Sequence, residues 1–412
     1  MRSTSPTAAA TTHAPLPHSP SHLGTPVLLL MAVASGLCAG GNYFNQPLLH
    51  SIAQNLGVSQ GTAALTVTLA QVSYALGLVF LVPLGDKLER RALAVGLMLL
   101  AAAGQLISGL AGSIVGLAVG TAMAGLFSVA AQVLVPTAAA LSDPRRSGRA
   151  VGLVMSGLLV GILAARSVAG LLSGLGGWNT VYRVSSAVML VVAIALWWRL
   201  PPSRNPVQVS YGEVLRSLGT LVRKHPRLRS RALLGGLSFA SVSVLFSTMA
   251  LLLSGPAYGL SDAAIGLVGL AGIAGALMAN VAGRLADQGR EQLTTRAGIA
   301  LLAVSWLMLW VGGDSLAWFL AGMVAIDLAL QAVHISNQNV VYKLEPPARS
   351  RINSVYMTSY FAGAASGSAL GSAAWNHGGW RSACATGLVL AGLSAAVLLH
   401  DRRLARAHAP GR

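Results

Sequence analysis

The stretch Ile326-Asp327-Leu328-Ala329-Leu330-Gln331-Ala332-Val333-His334-Ile335-Ser336-Asn337-Gln338-Asn339-Val340-Val341-Tyr342 sets an acid, an imidazole and several amides in a segment otherwise apolar enough to cross a membrane. At 100° per residue, Asp327, Gln331, His334 and Gln338 fall at about 0°, 40°, −20° and 20°, on one narrow stripe of a single helix. Lipid is a poor neighbour for such a stripe, because an ionisable side chain near the bilayer centre costs roughly 2.5 to 3.5 kcal/mol. Two readings remain: a satisfied polar seam between packed helices, or a substrate or proton pathway. Intramembrane acids favour the second by default.

Working outward, the chain has 412 residues, of which 54% are hydrophobic and only 9% charged, whereas soluble domains carry about 25% charged residues. The composition is that of a polytopic membrane protein. The formal net charge of +17 sits in short loops between apolar segments, so nucleic acid is not an expected partner. The lipid bilayer and a small-molecule substrate are. Cys38 and Cys384, the only two cysteines, lie in apolar spans and read as small buried hydrophobes. His334 has no companion at metal-ligand spacing beyond Asp327, so no metal site is expected.

Candidate spans run over residues 25 to 47, 61 to 84, 92 to 113, 115 to 140, 149 to 175, 181 to 198, 232 to 255, 263 to 283, 296 to 312, 316 to 341, 352 to 375 and 381 to 399. The first continues past Cys38, behind a Leu37 too large for a lipoprotein cleavage site. Twelve spans put both termini on one side. The loops and tails of that side hold 25 of the 28 Lys and Arg residues, and the opposite side has only Arg183 and Arg381. By the positive-inside rule both termini are expected in the cytoplasm.

An offset of 202 residues relates Ser59 to Ser261, Pro144 to Pro346, Arg149 to Arg351 and Trp178 to Trp380, and 201 relates Asp86 to Asp287. The expected fold class is therefore all-α, with twelve transmembrane helices in two parallel six-helix repeats. The expected division is a disordered tail over 1–24, bundles over 25–200 and 232–400, a basic linker over 201–231 and a second tail over 401–412. Residues 211 to 221 of the linker suit a short surface helix.

Two loop motifs at the repeat offset, Leu84-Gly85-Asp86-Lys87-Leu88-Glu89-Arg90-Arg91 and Gly283-Arg284-Leu285-Ala286-Asp287, resemble the signature of the major facilitator superfamily of secondary transporters. The stretches Asn42-Tyr43-Phe44-Asn45-Gln46-Pro47-Leu48-Leu49, Gly161-Ile162-Leu163-Ala164-Ala165-Arg166, Asp327 to Asn339 and Arg351 to Met357 are similar to its bacterial drug- and sugar-efflux, arabinose-efflux-permease-like branch. That likeness covers about residues 25 to 400 and implies export of a small organic molecule. No nucleophile or metal constellation and no Gly-x-x-x-x-Gly-Lys-Ser/Thr run is visible in the sequence, so no enzyme activity and no cofactor beyond a coupling proton is expected, and the protein is expected to act as a monomer.

Two features of proton antiporters in that branch are missing: a proline occurs nowhere from Val151 to Trp178, and Thr121 stands four residues before Gly125 where an arginine is usual. A facilitator or importer without proton coupling is therefore the alternative. Arg166, the one basic residue inside a span, must find an anion or a polar cavity. Its expected partner is Asp327 across the central cleft; the other possibilities are an anionic substrate and a purely structural pair.

The remaining candidate pathway residues are Asn45, Gln46, Gln71, Gln132, Tyr356 and Tyr360, with Gln132 and His334 related by the 202 offset. Asp86 and Asp287 read as a latch between the halves at the cytoplasmic ends, supported by Arg90, Arg91 and Arg290. For Arg90 and Arg91, simple obedience to the positive-inside rule is an equal reading.

Overall fold

The computed structural model describes residues 24–143, 147–204, 210–269, 285, 288, 290–345 and 348–407. The side chain of Asp86 and the whole of Asp287 lie outside that set, so the latch pair is not described.

The first span is α1 (Thr25–Gly40), two short 3-10 turns and α2 (Leu49–Leu56). The interruption falls where Pro47 occupies the first turn of the second 3-10 segment, a position that needs no amide donor. Span two is α3 (Gln60–Phe80) and span three α4 (Arg90–Leu110). Span four is split into α5 (Ile114–Phe127) and α6 (Ala130–Leu141), with Pro136 inside α6. α7 (Ser147–Gly176) and α8 (Thr180–Arg199) complete the first half.

The linker carries α9 (Tyr211–Lys224), opened by a capping box between Ser210 and Glu213 and closed by Arg223 and Lys224 in its last turn. The second half has α10 (Pro226–Leu253), α11 (Asp262–Val268), α12 (Glu291–Val311), α13 (Leu316–Tyr342) and α14 (Arg349–Ala407). α14 is long enough to cross twice, and Gly378 and Gly379 break its helical geometry where the eleventh and twelfth spans were expected to divide. Ten long apolar helices occur among the described residues. The bend in α14 and the start of an eighth span at α11 bring the count to the expected twelve.

The 202 offset is built into the turns. Gly57 and Gly259 both take a left-handed φ, 63° and 60°, two residues before the N-caps Ser59 and Ser261. Gly177 and Gly379 do the same, at 88° and 60°, immediately before Trp178 and Trp380. Only a residue without Cβ takes that φ freely, so the same chain reversal is encoded in both halves.

The packing repeats as well. α1 meets α7 through Gly36, Gly157 and Gly161, and α10 meets α14 through Gly236, Gly363 and Gly367. Small residues allow these backbones to touch where apolar burial gains nothing from lipid. Outward faces carry exposed Val115, Leu175, Trp198 and Val389, as hydrocarbon requires.

One buried charge cluster was not anticipated from the sequence. The Arg231 guanidinium of α10 lies 2.6 Å from the Asp401 carboxylate of α14, both side chains fully enclosed. Arg231 also donates to Thr295 Oγ1 and Asn337 Oδ1, each at 3.1 Å, while Ser230 Oγ donates to Asp401 Oδ1 at 2.6 Å. Four spans of the second half meet there, and each charge has its counter-charge and hydrogen bonds, as burial demands.

Candidate functional site

The two halves enclose a central cavity of about 420 Å³. The stripe on α13 faces it: Asp327, Gln331, His334 and Gln338 all line the cavity. From the first half come Tyr43, Tyr74, Gln132 and Arg166, and from the second also Phe239, Phe246, Tyr360 and Phe361. Val151 and Asn353, Met155 and Met357, Leu158 and Tyr360, and Gln132 and His334 are pairs 202 residues apart, and every member lines the cavity. The cavity therefore sits on the repeat interface, where transporters of this architecture place their sites.

Arg166 does not pair with Asp327. Its Nε donates to Gln46 Oε1 at 2.6 Å, and its guanidinium lies 5.0 Å from the Tyr43 ring centre and 3.9 Å from that of Phe246. An amide and two aromatic faces thus contact the guanidinium where a carboxylate was expected, and none of them supplies a counter-charge. Among the described residues, no ion pair within 4.0 Å joins Arg166 to Asp327. Asp327 Oδ2 is buried without a hydrogen-bond partner.

His334 is fixed through Nδ1 and the Tyr356 hydroxyl, 3.1 Å apart, with its ring 4.6 Å from that of Tyr360. Its pseudo-equivalent Gln132 donates from Nε2 to the Tyr74 hydroxyl at 3.2 Å. Four expected pathway residues stand behind the cavity wall. Gln46 holds Arg166, Tyr356 holds His334, Asn45 donates to Thr66 Oγ1 at 3.1 Å, and Gln71 is buried with Oε1 unpartnered.

Towards the side rich in Lys and Arg, the cavity shares Gln132, Val135, Val151, Tyr342, Asn353 and Met357 with a second cavity of about 410 Å³, which reaches Arg90 and Arg351. Towards the charge-poor side the halves are joined. Asp262, at the start of α11, accepts from Ser51 Oγ and from Ser173 Oγ, the latter at 2.9 Å. Ser167 Oγ donates to Gly266 O at 2.9 Å, and Thr68 Oγ1 donates to Ser368 Oγ at 2.9 Å. Polar clasps at α7–α11 and α3–α14 thus close one end while the basic end communicates with the cavity.

At the basic end, Arg91 is engaged within its own half. Its Nη1 donates to the Trp197 and Leu200 carbonyls at the end of α8, and the guanidinium lies 4.6 Å from the Trp197 ring centre. Arg90 lines the basic-side cavity, and Arg290 occupies the N-cap position of α12. Sequence reasoning missed Asp262. An acid one residue after an N-cap serine reads as a helix-dipole residue, and nothing in the spacing says that two serines of the other half face it.

The family model of the Major Facilitator Superfamily matches residues 31–348 and 267–412. An "Uncharacterized transporter YgaY" of Escherichia coli O157:H7 is 49% identical over 373 residues, which span 90% of this chain and 95% of the relative. A "Chloramphenicol resistance protein" of Streptomyces lividans is 31% identical over 287 residues, 68% of this chain and 71% of that one. In fold, the chain is similar to a bacterial homologue of the human lysosomal transporter Spinster in an inward-facing, occupied conformation, at TM-score 0.72 and 15% identity, covering 92% of this chain and 97% of the other. With the repeat, the central cavity and these matches in place, the chain belongs to the major facilitator superfamily and is a multi-pass membrane transporter of a small solute.

Proposed function

We propose that the protein exports a small organic solute across the bacterial inner membrane by alternating access, in exchange for protons taken up at Asp327. One observation carries the reading. A carboxylate with a buried, unpartnered oxygen lines a cavity on the repeat interface that communicates with the basic side and is clasped at the other. The positive-inside rule makes the basic side cytoplasmic, which places both termini there and makes the present conformation the one that loads cytoplasmic solute. The similarity to a chloramphenicol resistance protein supports the outward direction.

In the opposite state the Asp262 clasp opens and the basic ends of the halves meet. Asp86, Arg90 and Arg91 then face Asp287 and Arg290 as the latch of that state. A carboxylate that is neutral in one state and charged in the other would carry one proton per cycle without further chemistry.

The experiment is flux into inverted or reconstituted vesicles, with and without a pH gradient, for wild type and Asp327→Asn. Gradient-driven uphill flux in wild type, lost in Asp327→Asn while equilibrium exchange persists, is the expected result. Wild-type flux that ignores the gradient would favour a facilitator or importer, the reading supported by Thr121 and by the absence of proline from Val151 to Trp178.

A further inference from the structure

The central cavity is lined by one cationic and one anionic side chain, Arg166 and Asp327, which form no ion pair within 4.0 Å among the described residues. Arg166 is 4% exposed, and of its polar atoms only Nε makes a hydrogen bond to a described residue, so both Nη groups are uncommitted. Asp327 accepts no hydrogen bond from a described residue, and its Oδ2 is fully enclosed. Removing either charge from water costs several kcal/mol unless a partner of opposite sign arrives. Two such groups, one from each half, line one cavity without a direct ion pair, and that is a cost a bound molecule can relieve.

The chemistry of the walls says which molecule. An anion would satisfy Arg166 and leave Asp327 stranded; a cation would do the reverse. An uncharged polar solute could hydrogen-bond to both but would bring a counter-charge to neither. A molecule bearing an ammonium and a carboxylate satisfies both, and the same cavity offers an apolar body the rings of Phe239, Phe246, Tyr360 and Phe361. At about 420 Å³ the space is within the range of small-ligand pockets, about 300 to 1,000 Å³.

Resting on the reading of this cavity as the transport site, we infer that the substrate is a zwitterion on an apolar or aromatic body, of amino-acid to dipeptide size. Its ammonium sits on Asp327 and its carboxylate on the Nη edge of Arg166. The two Nη groups offer a planar double donor that matches a carboxylate edge to edge. Because Asp327 and Arg166 come from different halves, a zwitterion also ties the halves together across the cavity, which a singly charged ligand cannot do.

The test uses the full-length protein in detergent and in proteoliposomes. The probes are apolar amino acids and their dipeptides, with L-phenylalanine as lead, its methyl ester as the cation, 3-phenylpropionate as the anion, and chloramphenicol as an uncharged compound. Thermal stabilisation and counterflow should both rank a zwitterion first, with each amputated form at least about tenfold weaker, the scale of one lost charge-assisted contact. Asp327→Asn should erase the advantage of the amine and keep that of the carboxylate, and Arg166→Gln should do the converse. Should Arg166→Gln not fold, Arg166→Lys and the wild-type ranking still decide.

Equal binding of the ester or of 3-phenylpropionate overturns the inference. So does binding of chloramphenicol alone, or of no zwitterion in the set. The transport reading beneath it fails separately, when no compound of any charge class exchanges faster than in empty vesicles.

Discussion

Ser173 of α7 donates a hydrogen bond to the carboxylate of Asp262 at 2.9 Å, and the contact crosses from one half of the molecule to the other at the charge-poor end. Ser51 binds the same carboxylate oxygen from α2. Removing the acid takes away both bonds, and hydrogen bonds to charged groups contribute roughly 1.5 to 3 kcal/mol each. Asp262→Ala should therefore shift the population towards the state open at that end. In a background without Cys38 and Cys384, a cysteine at Ser167 should label about tenfold faster once Asp262→Ala is added. Ser173→Ala should give a smaller increase, and an unchanged labelling rate would show that the clasp does not hold the end closed.

The glycine contacts predict stability without reference to transport. A Cβ at Gly161 would lie 2.2 Å from the Gly36 carbonyl oxygen, and one at Gly363 would lie 2.0 Å from that of Gly236. The clash is with backbone, which cannot rotate away, so Gly161→Ala and Gly363→Ala should each lower stability by about 1 to 3 kcal/mol. Gly392 has nothing within 4 Å, and Gly392→Ala should be neutral or slightly stabilising. Thermal unfolding of the three purified variants checks the contrast.

The Arg231–Asp401 cluster should be fragile to half-removal. Asp401→Asn leaves a fully buried guanidinium without its counter-charge, a change that typically costs about 3 to 5 kcal/mol. The double variant Arg231→Met with Asp401→Leu should be less damaged than either single change, because no fully buried charge is left unpaired; Arg227, 3.8 Å from Asp401, is partly exposed. Folded yield and melting temperature of the four proteins are the readout. Equal damage in the double variant would mean that the cluster does more than balance charge.

Acid should loosen the linker helix. Lys224 Nζ lies 2.7 Å from Glu345 Oε2 and His225 Nε2 lies 2.9 Å from it, and these contacts, Lys224 first, hold the exposed Glu345 carboxyl below its usual range. A depressed carboxyl contributes its stabilisation above the unfolded value of about 4.3 and loses it as pH falls through the lower folded value. Spin-label distances between α9 and the end of α13 should stay constant from neutral pH to about 5 and broaden below about 4. Glu345→Gln should broaden them at every pH.

Much of the fold could be read from the sequence because its signals are one-dimensional. Apolar length marked out the spans, and paired Ser, Pro, Arg and Trp residues at one offset marked out the repeat. The α13 stripe was legible for the same reason, since helical period alone places Asp327, Gln331, His334 and Gln338 together. Period does not say how neighbouring helices are rotated about their own axes. Arg166 was accordingly assigned to Asp327, whereas Pro47 turns the chain so that Gln46 meets the guanidinium first. Asp401 and Arg231 were assigned to a tail and a linker because they lie at span ends, where a charge is expected to reach water. In the folded protein α12 and α13 cover that end, so the charges face each other.

α9 is fastened at both ends. The Tyr211 hydroxyl donates to the Phe80 carbonyl at the end of α3, and Lys224 is bound to Glu345 beyond α13. A helix of 14 residues is a rod of about 21 Å, so it acts as a strut that sets how far apart the two halves stand at the basic end. Bringing them together must tilt the rod or release one fastening. The Lys224 fastening is exposed to solvent and screened by salt. Ionic strength on that side becomes a throttle on the return stroke, acting on a surface far from any bound solute.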